Sequence, residues 1–243
     1  MTKTANIKEI FSSIQGEGKF IGYNQVFIRF SGCNLACDYC DTDFIGSEFC
    51  KVFDKKHPKK IKNDVSTEML KDIVIDFYQK PHHSISFTGG EPLLNPDFIN
   101  DFINLMKTKV DTKYFLETNG SLPDELLKVI DNIDMISMDI KLESSTKQPS
   151  LFELNKQFIK IAKNHKKDIY VKLVVTDKIT EKEINEVANI LQNQETPLIL
   201  QPKMIENKID ISKENLIKTF DKFNELVKDV RIIPQTHKFL GLI

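Results

Sequence analysis

Seven short apolar runs alternate with amphipathic helical stretches, and this alternation limits the possible folds more than any other feature of the chain. The runs cover residues 26–30, 84–88, 114–117, 135–139, 170–175, 198–201 and 230–233, and most are rich in Ile, Val and Phe. Short runs of that composition suit strands buried in a parallel sheet. Between them, Met69, Leu70, Ile73, Val74 and Phe77 fall on one helical face. So do Phe98, Ile99, Phe102 and Ile103, then Leu154, Phe158, Ile161 and Ala162, and finally Leu216, Ile217, Phe220 and Phe223. Thr180 and Glu183 form a capping-box pattern ahead of Ile184, Val187, Ile190 and Leu191. These stripes face a core and carry no functional meaning.

Alternating β and α units predict an α/β protein with a parallel sheet and outer helices. A complete eight-unit barrel takes about 250 residues. This chain has 243, but only seven strand candidates and a long stretch between Cys40 and Ser66 without one. The expectation is a single domain, residues 1–243, forming a partial (incomplete) TIM-type barrel, with residues 51–64 as an insertion loop. Hydrophobic residues make up 40% of the chain, enough to fill its core.

Charge excludes some partners. The 34 Lys and Arg are balanced by 35 Asp and Glu, so nothing points to nucleic acid. The local basic run at 51–62, with Lys55, Lys56, Lys59 and Lys60, reads as a solvated loop. No apolar stretch is long enough for a bilayer, and the first residues carry no leader-like apolar region. A cytoplasmic location is expected, where thiols stay reduced.

Four cysteines in such a chain are not a disulfide framework. Cys33, Cys37 and Cys40 lie within eight residues at C-x3-C-x2-C spacing. Three thiolates on one tight loop can hold three corners of a cubane iron–sulfur cluster, which normally takes four. The fourth iron is then open to another ligand. Cys50, ten residues further on, is read as a spare thiol rather than a fourth ligand.

Polar and glycine-rich motifs follow the predicted strands on the side where barrel active sites sit. The cysteine loop follows the first strand and Thr88-Gly89-Gly90-Glu91-Pro92 the second. Glu117-Thr118-Asn119-Gly120 ends the third, and Ser137, Asp139 and Lys141 mark the fourth. Gln201-Pro202 ends the sixth, and Pro234-Gln235-Thr236-His237-Lys238 follows the last. Any one could be a turn, but six on one rim make a site. Gly89-Gly90 lets backbone approach a ligand closely. Ile14-Gln15-Gly16-Glu17-Gly18 reads either as a turn or as a loop reaching over the barrel mouth. Arg29, in a strand between aromatic neighbours, must pair with a ligand carboxylate or with a protein acid.

The cysteine loop followed by Gly-Gly-Glu after the next strand resembles the radical S-adenosylmethionine (SAM) enzymes. Within that superfamily the chain resembles the 7-carboxy-7-deazaguanine synthase family. The motifs that carry this are residues 11–18, Phe27-Ile28-Arg29, residues 37–42, Glu117-Thr118-Asn119-Gly120, Leu200-Gln201-Pro202 and residues 234–238. The likeness runs from about residue 7 to the C-terminus and skips 51–64. It implies a homodimeric lyase that converts 6-carboxy-5,6,7,8-tetrahydropterin to 7-carboxy-7-deazaguanine with loss of ammonia, on the way to queuosine. It also implies a 4Fe-4S cluster, SAM as a regenerated cofactor, supporting Mg2+, and flavodoxin or ferredoxin as electron donor.

Carried over by motif, Cys33, Cys37 and Cys40 would bind the cluster and Thr42 would bind Mg2+. Tyr39, Asp41, Gly90, Glu91, Asn119, Ser137, Asp139, Lys141, Gln201 and Pro202 would meet SAM, with Gly90 and Glu91 at its amino group. Ile14, Gln15, Gly16, Glu17, Arg29, Thr88, Glu117 and His237 would hold the pterin. Two rival readings remain. A glycyl-radical-enzyme activase shares the cysteine spacing but acts on a protein, and lacks use for the 15–17 and 235–238 motifs. A non-catalytic iron–sulfur or zinc module would turn over no SAM.

Overall fold

The central parallel strands are buried on both faces, as Asp168–Val175 and Leu198–Pro202 show. The computed structural model describes residues 2–38, 40, 46–53, 58–192, 195–205 and 207–242. They form two small two-stranded ladders, Thr4–Ala5 with Val65–Ser66 and Met204–Ile205 with Lys208–Ile209, and one ten-stranded main sheet. Its strands are β1 (Ile7–Ile14), β2 (Asn24–Phe30), β3 (Phe49–Phe53), β4 (Lys59–Lys62), β5 (Ser84–Gly89), β6 (Lys113–Thr118), β7 (Met135–Asp139), β8 (Asp168–Val175), β9 (Leu198–Pro202) and β10 (Val230–Ile232). The spatial order is β10-β9-β8-β7-β6-β5-β2-β1-β3-β4. From β10 to β2 all neighbours are parallel. β1 returns antiparallel to β2, and β3 and β4 continue from it. Among the described residues no ladder joins β4 to β10, so the sheet is an open, incomplete barrel.

All seven predicted strands are present, each within two residues of the expected bounds. The predicted helices are α1 (Thr67–Phe77), α2 (Pro96–Met106), α5 (Phe152–Asn164), α6 (Glu181–Leu191) and α7 (Lys213–Leu226). Three shorter ones join them: α3 (Pro123–Val129), α4 (Glu143–Thr146) and α8 (Thr236–Leu240). The Thr180–Glu183 capping box forms in both directions.

Period-two alternation sorts each strand into two faces. Val26, Ile28, Phe30, Ile85, Phe87, Leu116, Ile136, Met138, Val171, Leu173 and Leu200 join the helices in the main core. The opposite face lines the inside of the barrel. Its lower layer is apolar: Phe115, Met135, Tyr170 and Ile199 close around Phe20 from the β1–β2 loop. Gly18 sits beside this plug at φ +64°, and a Cβ there would come within 2.2 Å of the Tyr170 hydroxyl. Above the plug the inner face turns polar, and there the site is built.

Residues 51–64 are not the plain insertion loop expected. β3, which starts at Phe49 and runs into this stretch, and β4 inside it pair antiparallel and extend the sheet. Cys50 and Val52 alternate into the core while Phe49 and Lys51 face out. The edge strand β4 is nearly all lysine, a composition that discourages further pairing. Lys55 and Lys56 lie outside the described residues.

Candidate active site

The cysteine loop is laced to the end of β5. Gly90 N donates to Phe30 O at 3.0 Å and Glu91 N to Gly32 O at 2.8 Å. Only glycine permits this approach: a Cβ on Gly90 would lie 1.7 Å from Gly32 O. Gly89, at φ +110°, is equally confined by the Phe30 backbone. Further along, Ala36 N donates to Gln148 Oε1 (3.2 Å) and Asp38 N to Thr146 O (3.2 Å), so the end of α4 and the turn after it hold the middle of the loop. Asn119 Nδ2 donates to Asn34 Oδ1 (2.9 Å), and Asn34 Nδ2 to Ser121 Oγ (2.8 Å).

A cavity of about 250 Å³ opens at the C-terminal ends of the parallel strands. Cys33, Cys37 and Cys40 wall it, all free of disulfides. Burial pushes the Cys33 thiol up, and the Cys37 thiol to about 11. A thiolate there therefore needs a cation to stabilise it. Lys141 is the nearby positive side chain that eases both. Among the described residues no three acidic, His or Cys side chains are set to grip a single metal ion. Three sulfurs spread around a shared space, with no fourth thiol on the wall, fit an iron–sulfur cube with one open corner. Cys50 is not part of this set: it is fully buried in β3, and burial pushes its thiol to about 12.

Gly90, Asn119, Ser137, Asp139, Lys141 and Gln201 also line the cavity. Asp139 Oδ2 takes Lys141 Nζ at 2.9 Å and lies 3.3 Å from Lys172 Nζ. Among the described residues, Asp139 Oδ1 and Gln201 Oε1 are buried without a hydrogen-bond partner. Two orphaned acceptors in one wall suit a ligand rich in hydroxyl and amino donors, such as a nucleoside. Glu91 and Pro202 do not line the wall. The Glu91 carboxylate lies beneath it, fully buried, accepting from Leu93 N (3.0 Å), Thr118 Oγ1 (2.8 Å) and Asn119 N (2.8 Å). Tyr39, Asp41 and Thr42 lie outside the described residues.

The eight residues expected to hold the pterin, Ile14, Gln15, Gly16, Glu17, Arg29, Thr88, Glu117 and His237, all wall the same cavity. Gln15 Nε2 reaches both Gln25 Oε1 and Glu117 Oε1 at 3.1 Å. Ser86 Oγ also donates to Glu117 Oε1, at 2.7 Å. Burial pushes the Glu117 carboxyl up, more than Lys172 and these bonds pull it down. Glu17 has the opposite balance. Burial raises it, but Lys172, Gln235 and His237 together bring it down to about 2. His237 packs on Gly16, where a Cβ would come within 2.3 Å of its Nδ1. Arg29 meets a protein acid after all: its Nε lies 2.7 Å from Glu9 Oε1, an ion pair whose angle falls short of a hydrogen bond. The guanidinium stacks over Phe11 and still walls the cavity.

The sequence reading passed over Lys172 and Lys203, and gave Gln235 and Lys238 of the C-terminal motif no individual role; all four also line the wall. Lys172 had a signal: it is the one charge within the run Ile169-Tyr170-Val171-Lys172-Leu173-Val174-Val175. Lys203 had none, since a lysine after a strand is ordinary. Glu9, the partner of Arg29, lies on β1, which the reading did not find.

An open parallel barrel with three thiols at its mouth is the architecture of a radical SAM domain, and residues 27–191 match the radical SAM superfamily. A 7-carboxy-7-deazaguanine synthase of Geobacter sulfurreducens is 36% identical over 247 residues, covering 98% of this chain and 97% of the relative. Another, of Archaeoglobus fulgidus, is 35% identical over 241 residues, covering 98% and 99%. The crystal structure of QueE from Escherichia coli shares the fold at a TM-score of 0.60 and 19% identity, covering 97% of this chain and 94% of that one. The chain belongs to the 7-carboxy-7-deazaguanine synthase family of the radical SAM superfamily.

Proposed function

We propose that this chain contracts the ring of 6-carboxy-5,6,7,8-tetrahydropterin to give 7-carboxy-7-deazaguanine and ammonia, in queuosine biosynthesis. One observation carries the reading. A single cavity is walled by the three thiols and, facing them, by Gln15, Glu17, Arg29, Glu117 and His237.

Cys33, Cys37 and Cys40 would hold the 4Fe-4S cluster. The backbone at Gly90 and the side chains of Asn119, Ser137, Asp139, Lys141 and Gln201 would hold SAM. Together the two cofactors supply one-electron cleavage of a carbon–sulfur bond and a radical that abstracts hydrogen. Such a radical attacks almost any C–H bond, so the chain's own task is orientation and exclusion of water. The plug at Phe20 seals the barrel from below. Glu9 engages Arg29 through Nε, so the terminal guanidinium nitrogens are the ones a substrate carboxylate would meet. Glu17 stays ionised and accepts, whereas Glu117 holds a proton more readily. A pterin edge offers both donors and acceptors, which suits this pair.

The reading extends to Mg2+ at Thr42, a flavodoxin or ferredoxin donor, a homodimer and a cytoplasmic setting, all supported by the family resemblance. Among the described residues no helix is long and apolar enough to cross a membrane. The test is anaerobic: reconstituted protein, SAM, a strong reductant and the carboxy-tetrahydropterin, with products read by mass spectrometry. The expected product has lost ammonia. Formation of 5′-deoxyadenosine without it would point to another radical SAM reaction, and no SAM cleavage would leave only an iron–sulfur module.

A further inference from the structure

Lys172 projects from β8 into the polar layer of the barrel and is 8% exposed. Its ammonium hydrogen-bonds Glu17 Oε2 and lies 3.3 Å from Asp139 Oδ2, its cross-strand neighbour. Gln235 Nε2 takes the other Glu17 oxygen at 2.7 Å. The Glu17 carboxylate is thus clamped from both sides. Burying an ammonium among carboxylates costs free energy that an apolar side chain of the same size avoids. One layer below, the same barrel is filled with Phe115, Met135, Tyr170 and Ile199. Packing alone therefore does not call for a lysine at this position.

We infer that Lys172 is a positioning residue, which fixes the Glu17 carboxylate in the orientation that receives the substrate. This rests on the proposed pterin reaction and adds to it a residue that works through another. Lys172 from β8, Gln235 after β10 and His237 from α8 act on Glu17 as hydrogen-bond or charge partners, Glu117 from β6 and Tyr170 from β8 also face its charge, and Glu117 and Asp139 from β7 share the Lys172 ammonium. Of these, Lys172 supplies the largest opposing influence to burial.

The experiment is equilibrium binding of the carboxy-tetrahydropterin to anaerobically reconstituted enzyme, at a series of pH values, in a double-mutant cycle. Lys172→Met is expected to weaken pterin binding at least about tenfold at neutral pH. Without the ammonium, buried Glu17 protonates more readily, so affinity should recover as pH rises towards about 9, a slope the parent protein lacks. Lys172→Arg should restore most of the affinity. In a Glu17→Gln background, adding Lys172→Met should change binding less than about twofold. That pair leaves neither partner charged and unpaired, so it carries the test even where the single change fails to fold. Equal losses from Lys172→Met in both backgrounds would overturn the inference. Failure of the parent protein to bind the pterin would instead overturn the proposed reaction.

Discussion

Glu91 separates a ligand-binding role from a structural one. Motif transfer puts it at the SAM amino group, yet its carboxylate is fully buried and is shared among three protein donors. Those bonds tie the end of β6, at Thr118 and Asn119, to the turn at Leu93. The Glu91 backbone N–H meanwhile holds Gly32 at the start of the cysteine loop. Glu91→Ala would strand three buried donors. Each unsatisfied group costs about 1–3 kcal/mol, and some will find water in the space left behind. A net loss of about 3–5 kcal/mol is expected, the range seen when one partner of a buried charged network is removed. Against a domain stability of about 5–15 kcal/mol, that is severe. Glu91→Gln keeps the shape but turns an NH2 towards at least one donor, so about 1–3 kcal/mol should go. Denaturant titration of the anaerobic, reconstituted proteins reads both, with iron content measured alongside. An Ala variant with the parent's midpoint and only a weakened SAM affinity would refute the structural role.

Three more expectations follow from the same geometry. Gly90→Ala places a methyl 1.7 Å from Gly32 O, backbone against backbone, so β5 and the cysteine loop must part; about 2–4 kcal/mol should be lost, and full cluster absorbance with an unchanged melting point would contradict this. Glu17 sits at about 2 against an ordinary 4.5. Its folded-state value is lowered, so its contribution is complete above pH 4.5 and disappears as pH falls towards 2. The stability difference between parent and Glu17→Gln should therefore shift by about 3 kcal/mol across that window, and a pH-independent difference in denaturant titrations would dismiss the pairing. Cys50→Ala, deep in β3, should keep full iron content while losing about 1 kcal/mol, and loss of iron would bring Cys50 back as a ligand.

What the sequence revealed and what it hid have separable causes. Parallel strands such as 135–139 and 198–201 stood out because their outer faces pack on helices and their inner faces carry few charges. β1 escaped because Lys8, Glu9, Ser12 and Ser13 interrupt its apolar residues. Its Phe11 and Ile14 wall the cavity rather than join the main core, and its antiparallel register with β2 contains a bulge at residues 7–9. β4 escaped because an edge strand of lysines looks like a solvated loop. The rim motifs were legible as a set, since glycines and amides after strands are visible in one dimension. Their partners were not. Nothing local links Lys172 to Glu17 across 155 residues, nor Glu91 to Asn119. Such pairs exist only once the barrel brings strand ends together.

The vertical order of side chains inside the barrel explains why these pairs matter. Below lies the apolar plug, which keeps water from entering through the floor. Above it, acids and cations are already matched before any ligand arrives: Glu17 with Lys172, Asp139 with Lys141 and Lys172, Arg29 with Glu9. Charges held by one another need not reorganise when a substrate binds, which is the condition under which fixed dipoles and ions act most strongly. Yet Asp139 Oδ1 and Gln201 Oε1 still lack hydrogen-bond partners among the described residues. The site is thus rigid in its charges and incomplete in its hydrogen bonds. A radical enzyme needs that combination: the scaffold sets where a reactive carbon sits, and only a ligand of the right pattern of donors completes the wall.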